Sequence, residues 1–350
     1  MAYTTINKSS EHFNTKLYTG NAGTNAITGV GFQPDCVWIK PRNSSSYGTK
    51  IWDSVRGVTN FIETTGNAAE GTGLSGVDSF DTDGFTVGSY AGSNGSGLNL
   101  VSWNWKANGA NSSNTDGSIT STVSANTTNG FSIVKWTGTG ANATIGHGLG
   151  AVPKMIIAKR LSNTEDWTIY HTSLGATKKI DLNNTGAEST VPNIWNNTTP
   201  TNSFFYVGDH GRVNASGDTY IAYCFAEKTG YSKFGSYVGN NNADGNFVYL
   251  GFKPAFVIAK NSTTAGYSWE LFDNKRNTTD GVGNVIQKRA YPDSSAAEGG
   301  SSSTNYIDFL SNGFKIRRAG DSNASGDTYI YMAFAEAPLV GSNNVPCTAR

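Results

Sequence analysis

Short apolar runs closed by punctuation residues recur along the chain. Val37-Trp-Ile, Met155-Ile-Ile and Phe256-Val-Ile each lie between a proline and a lysine. Runs of this length, apolar at consecutive positions and bounded by breakers, predict strands buried on both faces. Ser132-Ile-Val-Lys-Trp136 and Tyr329-Ile-Tyr-Met-Ala-Phe334 alternate more loosely. The connections Asn-x-Ser-Gly and Thr-Asp-Gly-Phe are turn chemistry, because Gly and Asn accept positive φ. No ten-residue stretch carries a convincing amphipathic helical period. The pattern predicts an all-β protein.

The runs belong to a larger repeat. Gly31-Phe-Gln-Pro-Asp-Cys-Val-Trp-Ile-Lys40 returns as Gly150-Ala-Val-Pro-Lys-Met-Ile-Ile-Ala-Lys159 and again as Gly251-Phe-Lys-Pro-Ala-Phe-Val-Ile-Ala-Lys260. Lys50-Ile-Trp-Asp53, Thr168-Ile-Tyr-His171 and Glu270-Leu-Phe-Asp273 follow in turn. Then come Gly84-Phe85, Ser203-Phe204 and Gly313-Phe314. A loop opening at Asn94, Asn214 and Asn323 closes each copy, and the strand after it ends in Trp105, Phe225 or Phe334. Copies of about 100–120 residues exceed a solenoid or propeller repeat and match a β-sandwich in size. The expected organisation is three tandem β-sandwich modules at residues 1–107, 116–227 and 228–340. Residues 108–115 (Asn/Ser/Gly-rich) read as a flexible linker or surface loop, and residues 341–350 as a loose tail. Only Lys228-Thr-Gly230 separates the second and third modules, so those two are expected to pack together.

Composition narrows the function classes. Lys+Arg and Asp+Glu both number 26, and charged residues make up 15% of the 350. Zero net charge argues against a nucleic-acid partner, which needs a basic surface. Asparagine (37) and glycine (42) are abundant, and 12% of residues are aromatic, so the bulk is folded rather than disordered. The start, Met1 to Ser10, shows no secretory signal pattern. No apolar run is long enough to cross a membrane. Cys36, Cys224 and Cys347 are too few and too scattered for a disulfide framework. Cys36 and Cys224 lie within strand patterns and read as small buried hydrophobes.

Candidate chemistry is sparse. His12, His147, His171 and His210 show no metal-ligand spacing, and a surface structural role is expected for them. The strand–elbow–helix context of a hydrolase is missing, as is a phosphate-binding glycine loop. Two carboxylate pairs, Glu270 with Asp273 and Glu165 with Asp166, come nearest to glycosidase equipment, but neither recurs in the other modules. Asp218 and Asp327 sit in repeated Asn/Ser/Gly loops; an Asx-type turn accounts for them better than calcium. No catalytic residue, cofactor or metal is assigned. Trp38, Trp52, Trp103, Trp105, Trp136, Trp167 and Trp269 lie on repeat strands and read as core or module contacts. Trp195, in a polar module-specific stretch, and Tyr47, Tyr267 and Tyr291, in variable loops, are the candidate ligand contacts. Aromatic faces beside amides are what a saccharide-binding surface uses.

The start Met1-Ala-Tyr-Thr-Thr-Ile and Gly29-Val-Gly-Phe-Gln-Pro-Asp-Cys-Val-Trp-Ile-Lys40 resemble a family of tandem-repeat proteins of marine tailed bacteriophages. Asp53-Ser-Val-Arg-Gly57, Thr82-Asp-Gly-Phe-Thr-Val-Gly88, Gly146-His-Gly-Leu-Gly150 and Ala333-Phe-Ala-Glu-Ala-Pro-Leu-Val-Gly341 extend the resemblance over nearly the whole chain. It implies jelly-roll, concanavalin-like modules and a non-enzymatic virion structural protein, made in the host cytoplasm. A tail fibre or surface appendage that engages host-surface glycans leads, with other virion proteins as partners. A capsid-decorating or fibre-connecting protein without a ligand comes second, and a glycan-degrading enzyme third. By analogy the oligomer is a trimer around a fibre axis. A pseudo-threefold arrangement of the three modules within one chain fits the sequence equally.

Overall fold

The computed structural model describes residues 4–276, 284–300 and 305–338. The proposed tail, with Cys347, and the last two residues of the third module lie outside them. The fold is all-β and sandwich-like, built from antiparallel sheets; the helical segments are single turns at Ser9–Glu11, Ala91–Asn94 and Gly211–Asn214.

One strand order occurs three times. The first large sheet places Phe13–Thr19, Asn99–Trp105, Cys36–Pro41 and Lys50–Asp53 side by side. The second runs Phe131–Thr137, Thr219–Ala226, Pro153–Arg160 and Thr168–His171, and the third Ser232–Val238, Thr328–Pro338, Phe252–Asn261 and Glu270–Asp273. Each large sheet is covered by a smaller one. The covering pairs are Asn25–Thr28 with Gly84–Val87, Ala143–Gly146 with Phe204–Val207, and Phe247–Tyr249 with Gly313–Ile316. A separate hydrophobic core fills each of these three two-layer spaces.

The large sheets have a second apolar face, and these faces meet. Successive strand residues point to opposite sides, so Val37 and Ile39 enter the local core while Cys36 and Trp38 enter one shared by all three sheets. This explains why every residue of Cys36–Pro41 is buried. At the centre, one aromatic residue from each closing strand meets the other two. The ring centroids of Trp105 and Phe225 are 6.3 Å apart, those of Trp105 and Phe334 6.0 Å, and those of Phe225 and Phe334 6.0 Å. The near-equilateral triangle marks a pseudo-threefold axis within a single chain.

Backbone hydrogen bonds close the ring in one sense. Glu70 N–H donates to Leu161 O, Glu188 N–H to Ser262 O and Glu298 N–H to Arg42 O, each at 2.8 Å. Each acceptor lies two residues beyond the repeated lysine. Side chains follow the same rotation: Tyr223 donates to Asp53 (2.7 Å), His171 bonds Tyr331 O (3.1 Å) and Trp103 donates to Asp273 (3.0 Å).

The repeated asparagine is a staple. Asn94, Asn214 and Asn323 are fully buried. Their carboxamide oxygens accept the N–H of Asn21, Thr139 and Asn240 at 2.9–3.0 Å, and their amides donate to backbone carbonyls. The loop before the closing strand is thereby tied to the loop after the first strand. Such polar groups can be buried only because each finds its partner.

Residues 108–115 are not a free spacer. Ser112–Asn114 pairs antiparallel with Ser121–Asn126 and extends the second large sheet. Asp35 accepts the N–H groups of Ala107 (2.6 Å) and Gly109 (3.1 Å), which anchors the entry. Polar composition suggested mobility; a partner strand and one buried carboxylate impose order.

Candidate functional site

Two of the four aromatic candidates come together. Tyr267 and Tyr291 line a cleft of about 330 Å³ with Gly266, Ser268, Glu270, Arg289, Ser294, Ala296 and Asp321. Glu270 opens its strand, and Leu271 exchanges backbone hydrogen bonds of 2.9 Å with Ala290. Leu271 and Ala290 face the shared core, so Glu270, Arg289 and Tyr291 emerge on the other side. Asp321 enters from the loop before the closing strand.

Arg289 organises the cleft. Its Nη1 donates to Glu270 and, at 2.8 Å, to Asp321. Its guanidinium lies 5.1 Å from the Tyr291 ring and 4.7 Å from Tyr306, while Arg318 covers Tyr306 at 5.2 Å. Burial raises the Glu270 carboxyl above the ordinary range, against the pull of Arg289. Burial also pushes Tyr291 up to about 12. Asp321 is lowered: hydrogen bonding and charge from Arg289 outweigh its burial. Glu270 Oε2 and Arg289 Nε are enclosed without a hydrogen-bond partner.

The corresponding places elsewhere on the ring are filled. Tyr47 precedes Lys50 by three residues, as Tyr267 precedes Glu270. There Lys50 pairs with Glu63 and lies 5.5 and 5.6 Å from the rings of Phe61 and Tyr90; half-buried Tyr47 packs edge-on to Tyr90. In the second copy Arg212 stands where Asp321 does, two residues before the asparagine. It bonds Asp181 (2.7 Å), Asp166 (2.8 Å) and Glu165 (3.4 Å). The open cleft therefore results from substitutions at positions that the other copies use for packing.

Trp195 is corrected outright. It is 1% exposed, edge-on to Tyr170 at 5.9 Å, in the core of the second sheet pair. Its polar neighbours in sequence cover the surface while the indole fills the space beneath. The carboxylate pairs also resolve. Glu270 and Asp273 lie three apart on one strand and face opposite ways; Asp273 is paired with Arg276 in the interior. Asp218 accepts from Ser162 (2.6 Å), Asn163 (3.0 Å) and Arg160, and Asp327 from Asn261 (2.7 Å) and Thr264 (2.8 Å). Both tie neighbouring loops. Among the described residues no three His, Cys, Asp or Glu side chains cluster as a metal site. Nor does any helix there have the length and apolarity to cross a membrane. Cys36 and Cys224 are free and buried, and burial raises both thiols far above their usual range.

Arg289 and Asp321 escaped the sequence reading. Arg289 lies in a stretch without repeat markers. Asp321 had a usable signal, its fixed spacing from Asn323.

A family model described as "Domain of unknown function (DUF7483)" matches residues 8–338. The chain belongs to the DUF7483 family. No curated protein and no solved structure matches it.

His147 and His171 were expected at the surface, and both are buried. In each, Nδ1 accepts the N–H two residues on (Leu149, 3.2 Å; Ser173, 3.1 Å) and Nε2 bonds a carbonyl (Thr201, 3.2 Å; Tyr331, 3.1 Å). These bonds require the neutral Nε2–H tautomer, and burial lowers both pKa values to about 4. An unfolded histidine titrates near 6.5. The stabilisation is therefore complete above about pH 6.5 and is lost as pH falls toward 4, by roughly 3 kcal/mol for each. Asp293, raised to about 6 by burial, acts in the opposite sense. Urea unfolding at pH 7 and pH 4.5 should show a smaller loss on acidification in His147→Asn than in the parent. An equal loss contradicts the assignment.

Proposed function

We propose that this chain is a non-enzymatic structural component of a bacteriophage virion, in a tail fibre or surface appendage, and binds a host-surface saccharide in the Tyr267/Tyr291 cleft. The observation that carries the ligand reading is the convergence of those tyrosines with Glu270, Arg289, Asp321 and two serines. An aromatic ring offers an apolar face to the C–H side of a pyranose. Carboxylates and hydroxyls beside it accept and donate to sugar hydroxyls. The motif resemblance supports the virion assignment, with other virion proteins as partners and a homotrimer as the assembly. Binding rather than turnover is favoured because both carboxylates of the cleft engage one guanidinium. A glycosidase keeps one carboxyl protonated and the other ionised on either side of the scissile bond.

The test is a glycan array with the parent, Tyr267→Ala and Tyr291→Ala. A bound glycan should lose at least about tenfold in affinity in each variant, with the circular dichroism unchanged. Retention of binding in both variants removes the cleft. Absence of any bound glycan leaves the ligand-free decorating or connecting role.

A further inference from the structure

The saccharide-binding reading can be sharpened to a ligand class, and the inference rests on that reading. We propose that the cleft selects saccharides free of carboxylate, sulfate and phosphate groups, and prefers neutral or amine-bearing sugars to acidic ones.

The charge inventory of the lining is two carboxylates, Glu270 and Asp321, against one cation, Arg289. Arginine is the usual receptor for an acidic sugar, because its fork matches a carboxylate. Here Nη1 already serves both lining carboxylates, and its Nε is enclosed near Gly299. An incoming anion would compete with two resident ones. A ligand hydroxyl or ammonium meets the opposite situation. Glu270 is nearly enclosed beside the Ser322 hydroxyl, whereas Asp321 keeps 41% of its side chain exposed at the cleft. A ligand donor can reach the Asp321 carboxylate oxygens, which only accept when ionised. The tyrosine faces carry negative π density, which suits an ammonium group and opposes an anion.

The neighbouring basic side chains do not reverse this. Arg317 and Arg318 line an open depression that shares Arg289 with the cleft. Arg318 pairs with Asp321 at 3.3 Å. Arg317 pairs with Asp244 at 3.1 Å and Asp308 at 3.4 Å, and Lys315 pairs with Asp244 at 2.7 Å. Each cation there has a carboxylate partner among the described residues.

The experiment uses matched oligosaccharides that differ only at the terminal residue: a hexose, the corresponding hexosamine, the hexuronate and the 6-sulfated hexose. The full chain should bind the hexose or hexosamine member at least about tenfold more tightly than either acidic member. Asp321→Asn removes one lining carboxylate and frees part of the Arg289 donor capacity. It should shrink that preference at least about fivefold by admitting the acidic members. Preference of the parent for the hexuronate or sulfate overturns this inference and leaves saccharide binding intact. Failure to bind any member in any of several hexose series overturns both. A preference unaltered by Asp321→Asn overturns the electrostatic explanation.

Discussion

Trp105→Ala should destabilise all three sheet pairs together, in one cooperative transition. Trp105 lies within 5.0–6.5 Å, centroid to centroid, of Phe13, Trp38, Phe131, Phe225, Phe256 and Phe334. These rings come from all three copies. Removing a fully buried indole costs about 3–5 kcal/mol in transfer and cavity terms. That is a large share of the roughly 5–15 kcal/mol that holds an ordinary domain. Differential scanning calorimetry should show a single peak, displaced downward, with no fraction melting at the parental temperature. Two peaks, one unmoved, would mean that the sandwiches fold independently. The shared core makes the same argument for excision. Residues 116–227 alone would expose Phe131, Met155, Ile157, Tyr223 and Phe225 to water, a patch too apolar for a stable soluble monomer.

Asp53→Ala should cost about 3–5 kcal/mol, because it strands a buried guanidinium. Asp53 and Arg56 are both wholly enclosed and hydrogen-bonded at 2.5 Å. Asp53 also accepts the N–H groups of Val55 and Arg56 and the Tyr223 hydroxyl. The third copy repeats the pair as Asp273 and Arg276 at 2.6 Å. The second copy dispenses with it: His171 takes the acid's place and Leu174 that of the arginine. His171 Nδ1 accepts the N–H of Ser173, as Asp53 accepts that of Val55. The chain thus contains its own neutral solution. Asp53→His with Arg56→Leu should be less damaging than Asp53→Ala, recovering at least about half of the loss in chemical denaturation. A double variant as unstable as the single one would show that the arginine's bonds to Ile51 O and Glu70, rather than its unpaired charge, dominate.

Much of the site was legible, though not its assembly. Tyr267 and Tyr291 stood out because they fall in variable loops, and the cleft contains both. Tyr47 proved to be the counterpart of Tyr267, already occupied by Tyr90 and Lys50. Trp195 misled because a large side chain can fold under the polar residues that flank it. Local polarity reports on the backbone's surroundings, not on where an indole turns. Arg289 was invisible for another reason. Its partners Glu270 and Asp321 lie 19 and 32 residues away, and no spacing rule links an acid on a strand to an arginine and a loop carboxylate that distant.

The sequence by itself determined the all-β class, the strands buried on both faces and the recurring markers. These follow from periodicity and from the φ tolerance of glycine and asparagine, which act over a few residues. Only the tertiary structure decided what the second apolar face of each large sheet packs against. The answer, the other two large sheets, rests on contacts that no local pattern encodes, such as Trp105 with Phe225 and Phe225 with Phe334. Trp105, Phe225 and Phe334 meet because three twisted sheets, each too apolar to leave one face in water, exclude solvent most completely around a common axis.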